Sequence, residues 1–126
     1  MLMLILLADG RSKVRFALRV LLERQPGLEV VGEVVNAEDL ISKVENTCPD
    51  LILLDWDLPG LKAEQTITIL RDFCPELHVI VLSGRPESEQ AALNADVDAF
   101  IHKTSQPENL LAAIETCRGV EWKKQR

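Results

Sequence analysis

Five side chains in this sequence have types and positions that could do chemistry together: Asp9, Asp55, Asp57, Ser83 and Lys103. Each stands at or just past the end of a short apolar run. Carboxylates crowded within about 4 Å repel by roughly 4 kcal/mol at a dielectric of about 20, so such a group is tolerable with a cation among them. Oxygen ligands on loops suit Mg²⁺, which keeps several waters and often bridges a phosphoryl group. An aspartate can also be the nucleophile and carry an aspartyl phosphate. A lysine and a serine would then bind the phosphoryl oxygens. The sequence has no Gly-rich phosphate loop of either common pattern, which disfavours nucleotide binding as the main role. It has no serine elbow and no paired histidines.

The elements that must position these groups follow from alternation of apolar runs with amphipathic stretches. Runs 3–8, 28–35, 51–54, 77–82 and 99–102 read as strands. Ser12 is a plausible N-cap for a helix with Val14, Leu18 and Leu21 on one face, and Ala17 and Leu22 alongside; Pro26-Gly27 closes it. Asn36 can cap a helix over 37–46 with Leu40, Ile41 and Val44 inward. A third helix is expected at about 63–73, ended by Pro75, and a short one at 87–94. Ser105-x-x-Glu108 reads as a capping box ahead of a last helix, with Leu110, Leu111, Ile114 and Cys117 inside. Five strands alternating with five helices predict an α/β domain with a mainly parallel sheet and helices on both faces. Sites in such sheets form at the carboxyl ends of the strands, which is where the five candidate residues fall.

Composition bounds the rest. The chain has 126 residues, the size of one domain. Its net charge of −6 argues against a surface that grips nucleic acid or an anionic membrane. Three Phe, two Trp and no Tyr leave no base-stacking platform. Cys48, Cys74 and Cys117, odd in number and without a C-x-x-C pair, suggest a reducing cytoplasm and three ordinary thiols rather than disulfides or zinc. The run from Met1 to Ala8 is too short to span a bilayer and lacks the marks of a secretory signal. The stretch 119–126 turns polar and basic and reads as a tail or the start of a linker.

The segments Ile5-Leu-Leu-Ala-Asp9, Asp50-Leu-Ile-Leu-Leu-Asp55-Trp-Asp-Leu-Pro-Gly60, Val79-Ile-Val-Leu-Ser83-Gly and Ala99-Phe-Ile-His-Lys103 resemble the receiver domain of two-component response regulators. The resemblance covers about residues 3–118. The stretch 103–114 and the Arg118-Gly119 exit look most like CheY-like receivers fused to a helix-turn-helix output domain of the NarL/FixJ type. The resemblance implies a flavodoxin-like 2-1-3-4-5 sheet and a receiver at 1–118, with 119–126 leading out of it. It implies Asp55 as phosphoacceptor from a sensor histidine kinase or a small phosphodonor. Ser83 and Phe100 would be the switch pair, Lys103 the phosphate-binding lysine, and Asp9 and Asp55 ligands of Mg²⁺. Phosphorylation would remodel the surface of helix 4, strand 5 and helix 5 for an output domain or a homodimer. The implied role is cytoplasmic signalling, with no enzymatic turnover beyond self-phosphotransfer and slow autodephosphorylation.

One departure bears on the cation. The family usually has two adjacent acids after the first strand, and this chain has Asp9-Gly10, so binding of Mg²⁺ should be weakened. Asp57 could partly compensate as a ligand, or it could pair with Arg85 and half-cover the site. Gly10 also keeps open a second reading, a pseudo-receiver that acts by phosphorylation-independent dimerisation. Lys103 is followed by Thr104 where a proline is frequent. Trp56 is expected to pack beside the site. His102 is expected on the same strand face as Phe100, as a partly exposed structural histidine.

Overall fold

The computed structural model describes residues 2–124, the side chains as far as residue 119. The elements are β1 (Met3–Ala8), α1 (Ser12–Glu23), β2 (Leu28–Val34), α2 (Ala37–Thr47), β3 (Leu51–Asp55), α3 (Ala63–Phe73), β4 (His78–Ser83), α4 (Glu89–Asn94), β5 (Ala99–His102) and α5 (Pro107–Lys124). Every strand pairing is parallel, in the expected order β2-β1-β3-β4-β5.

Strand residues alternate between two faces, and each face needs cover. Leu6, Ala8, Ile52, Leu54, Val79 and Val81 point to one side and pack under Leu40 and Val44 of α2, Ile67 and Leu70 of α3, and Ala92 of α4. Ile5, Leu7, Leu51, Leu53, Ile80 and Leu82 point to the other, under Leu22 of α1 and Leu110 and Ile114 of α5. The continuous Leu/Ile runs of β1 and β3 are thus explained: both faces of those strands are buried.

The helix starts follow partly from capping. Asn36 Oδ1 accepts the Asp39 N–H at 2.8 Å, as expected, a cap that contributes about 1 kcal/mol. Ser12 is not the cap of α1. That position falls to Arg11, because the Asp9 carboxylate two residues earlier accepts the Arg11 N–H at 2.8 Å and makes the turn itself. The predicted helix at 87–94 is split: Pro86 opens a 3₁₀ turn, Pro86–Ser88, and α4 begins at Glu89. The box at Ser105 fails in register. α5 starts at Pro107, whose fixed φ suits a first helical position, so Ser105 lies outside the cap. α5 then runs unbroken past Arg118 to Lys124. Its inner face carries Leu110 and Ile114, with Leu111 and Cys117 half-buried, as the spacing predicts.

The cysteines correct the expectation of three free thiols. Cys48 and Cys74 form a disulfide across a Cα–Cα distance of 5.9 Å; Cys117 is free. Each is the residue that ends a helix, α2 or α3. These helices lie side by side on one sheet face, so residues 26 apart in sequence meet. No local spacing announces that contact. Among the described residues, no helix is long and apolar enough to cross a membrane.

Candidate functional site

Strand register brings the candidate residues to one rim. Ala8 pairs with Leu54, so Asp9 and Asp55, the next residue on each chain, stand side by side. Asp55 pairs with Leu82 and Ser83 with His102, which carries Lys103 to the same edge. Asp55 and Ser83 are the last residues of β3 and β4 rather than loop residues. Strand hydrogen bonding therefore fixes their backbones. Lys103 N–H extends this by donating to Ser83 C=O at 2.9 Å.

Asp9 and Asp55 are buried, at 1% and 7% exposure. Two carboxylates taken out of water this closely need a counter-charge. Lys103 Nζ supplies it, 2.8 Å from Asp9 Oδ2 and 3.3 Å from Asp55 Oδ1. Asp55 Oδ1 also accepts the Asp57 N–H at 3.1 Å. Its other oxygen, Oδ2, makes no hydrogen bond among the described residues and is not sealed from solvent.

Asp57 turns away from this group. Its Oδ1 lies 2.5 Å from Arg85 Nη2, which is the ion pair expected as one of the two roles open to Asp57. Both partners are about half exposed, and the pair spans the mouth of the site from the β3 side to the β4 side. Trp56, half-buried, packs against the core beside Asp55. The Ser83 hydroxyl is buried and accepts the Arg85 N–H at 3.0 Å. Phe100 is half-buried and meets His102 edge to face, with centroids 5.1 Å apart, which bears out their shared face. The Lys103–Thr104 peptide is trans.

Gly10 occupies ordinary space. A Cβ built there would lie 3.6 Å from Pro59 Cδ and 3.7 Å from Val35 O, both normal contacts, and the backbone does not demand glycine. Gly60 differs: its φ of +109° favours glycine, and a Cβ would press within 3.0 Å of Ala37 Cβ. The Asp57–Gly60 turn thus holds Pro59 beside Gly10 and docks on the start of α2 through Ala37 N–H to Pro59 C=O, 2.8 Å.

Sequence reasoning missed what supports Asp9 from behind. Arg15 donates to Asp9 C=O at 2.7 Å and to Glu33 Oε1 at 2.8 Å, while Arg19 donates to Glu33 Oε2 at 2.8 Å. Burial pushes the Glu33 carboxyl upward, but the hydrogen bonds and charges of Arg19 and Arg15 outweigh it and hold Glu33 below its ordinary value. The one available signal was helical spacing, which puts Arg15 and Arg19 on one face of α1.

The donor set fits a small hard cation. Asp9 and Asp55 offer two carboxylates on rigid strand ends, and Mg²⁺ is commonly held by one or two carboxylates with waters completing its shell.

The sequence profile of the response regulator receiver domain matches residues 5–115. The chain belongs to that family. The receiver domain is 35% identical over 119 residues to the nitrate/nitrite response regulator protein NarL of Escherichia coli K12, covering 93% of this chain and 55% of NarL. The chain therefore spans about half the length of such curated relatives. Among solved structures, a LuxR-family two-component response regulator from Aurantimonas sp. SI85-9A1 superposes with a TM-score of 0.86 at 29% identity, over 94% of this chain and 87% of that one. RcsB from Salmonella enterica serovar Typhimurium, solved on the promoter rprA with the phosphomimetic BeF₃⁻, gives 0.87 at 25% identity, over 94% and 61%. The chain is thus a receiver domain of the two-component response regulator kind.

Proposed function

We propose that this receiver domain accepts a phosphoryl group on Asp55 and thereby switches a protein-binding surface. The observation that carries this reading is the Lys103 ammonium set between Asp9 and Asp55, with Asp55 Oδ2 left unbonded at the rim. Oδ2 would attack the phosphorus of a kinase phosphohistidine or of acetyl phosphate. The P–O bond to Asp55 forms as the P–N or P–O bond to the donor breaks, and the electron pair leaves with the imidazole or the acetate. Lys103 would hold one phosphoryl oxygen while keeping its contact with Asp9. Asp9 and Asp55 would hold Mg²⁺, with the Asp57–Gly60 turn alongside; the bound ion would supply charge neutralisation for the phosphoryl oxygens.

Ser83 and Phe100 would transmit the event. A phosphoryl oxygen would accept the Ser83 O–H in place of the Arg85 carbonyl, which lies 3.4 Å from that hydroxyl. Withdrawing that hydroxyl loosens the turn before α4 and opens space toward half-buried Phe100. The result is a two-state equilibrium biased by phosphorylation, read out on α4, β5 and α5. The natural partners are then a cytoplasmic sensor histidine kinase and, beyond 119–126, a DNA-binding output domain or a second copy. Residues 1–118 are the receiver in this reading.

Gly10 and the Asp57–Arg85 pair favour one alternative, a pseudo-receiver that signals by phosphorylation-independent dimerisation. Trp56 fluorescence separates the two, in a Trp122→Phe background. Phospho-signalling predicts a change in emission with Mg²⁺ and a further change when beryllofluoride is added to it. Emission that stays flat at tens of millimolar Mg²⁺ with the mimic sinks it.

A further inference from the structure

At the end of the sheet opposite Asp55, three metal-ligating side chains converge from three elements. His78 opens β4, Asp98 precedes β5, and Cys117 lies on the inner face of α5. Each offers one ligand atom, and the three atoms lie within 4.8 Å of one another. His78 Nδ1 is 3.1 Å from Asp98 Oδ1. The second Asp98 oxygen is already held, by the Val79 N–H at 2.7 Å and by Arg71 Nη2 at 3.4 Å. Those bonds fix the carboxylate with Oδ1 toward the imidazole, as outer donors orient metal ligands elsewhere.

We propose that His78, Asp98 and Cys117 bind a borderline divalent transition-metal ion, zinc foremost, with the fourth position open to water. One nitrogen, one oxygen and one sulfur donor suit Zn²⁺ and not Mg²⁺ or Ca²⁺. A tetrahedral site with bonds of about 2.0–2.3 Å puts its ligand atoms about 3.3–3.8 Å apart, so the cluster needs to close by about 1 Å. Half-buried His78 and Cys117 and exposed Asp98 can supply that by small side-chain rotations. An open cleft of about 300 Å³, lined in part by Pro75, Glu76, His78 and Asp98, gives an ion access.

The charges also balance. Asp98 and a Cys117 thiolate offset the dication, and Arg71 is offset by Asp96, 3.5 Å away. Binding must displace the thiol proton, since burial, and then the Asp98 charge, pushes Cys117 up to about 11. A bound dication reverses that preference. Occupancy would tie α5, the helix that leads out of the receiver, to the ends of β4 and β5.

Cobalt(II), which takes zinc sites and reports thiolate ligation by a charge-transfer band, is the probe. The chain is titrated with Co²⁺ in excess Mg²⁺, to block the oxygen site, and then with Zn²⁺. The expected result is a charge-transfer band that saturates at one ion per chain and is displaced by Zn²⁺. It should disappear in Cys117→Ser and weaken at least about tenfold in His78→Gln, both shown to be folded by circular dichroism. The His78 variant, at a half-exposed position, keeps the test available should Cys117→Ser not fold. No band in the unmodified chain, a band retained in folded Cys117→Ser, or unchanged affinity in His78→Gln overturns the assignment.

Discussion

Restoring the missing acid is the most informative single change. In Gly10→Asp the new Cβ has ordinary contacts with Pro59 and Val35, so the backbone need not move. The added carboxylate joins Asp9 and Asp55 on an exposed part of the rim. At about 4 Å from a bound dication, and screened as fully as in bulk water, it gains roughly 2 kcal/mol, or about thirtyfold in Mg²⁺ affinity. Without Mg²⁺ the same charge repels Asp9 and Asp55, whose carboxylates both lean on the Lys103 ammonium. The variant should therefore be less stable than the parent in chelator and regain stability as Mg²⁺ is added. Mg²⁺ titration followed by Trp56 emission, with urea unfolding in parallel, measures both effects. Affinity within twofold of the parent would refute the idea that a missing ligand weakens the site.

Lys103→Ala should cost about 3 kcal/mol of stability in chelator, because it leaves two buried carboxylates facing each other; Mg²⁺ should return part of the loss, and urea unfolding with and without Mg²⁺ reads it. Reducing Cys48–Cys74 should lower stability by about 3.5 kcal/mol, the loop-closure value for a 26-residue separation; thiol titration of the denatured chain should find one free cysteine before reduction and three after. Glu33 has a lowered carboxyl value in the fold, so its stabilisation is present above its unfolded value and fades as pH falls through the folded one. Glu33→Gln should accordingly cost about 1 kcal/mol at pH 7 and nothing in acid, by urea unfolding at each pH.

Strand order, layers and the rim at Asp9, Asp55, Ser83 and Lys103 were legible because hydrophobic period and strand ends are local signals. Helix starts were less so. Ser12 and Ser105 have capping chemistry, but Asp9 and Pro107 decide where α1 and α5 begin, through a turn and a fixed φ that the spacing rule does not weigh. The Cys48–Cys74 contact and the His78–Asp98–Cys117 cluster depend on how elements pack, and residues on separate elements carry no shared pattern. The choice for Asp57 was open for a similar reason: pairing with Arg85 requires the β3 and β4 turns to face each other, which only the folded rim provides.

Phosphotransfer to Asp55 is tested most directly by intact-protein mass after incubation with acetyl phosphate and Mg²⁺, the unmodified chain beside Asp55→Asn. The expected result is one phosphoryl group on the unmodified chain, gained slowly, lost from Asp55→Asn and gained faster in Gly10→Asp. An unmodified chain that takes up no phosphoryl group, or an Asp55→Asn variant that takes it up equally well, would contradict Asp55 as the phosphoacceptor.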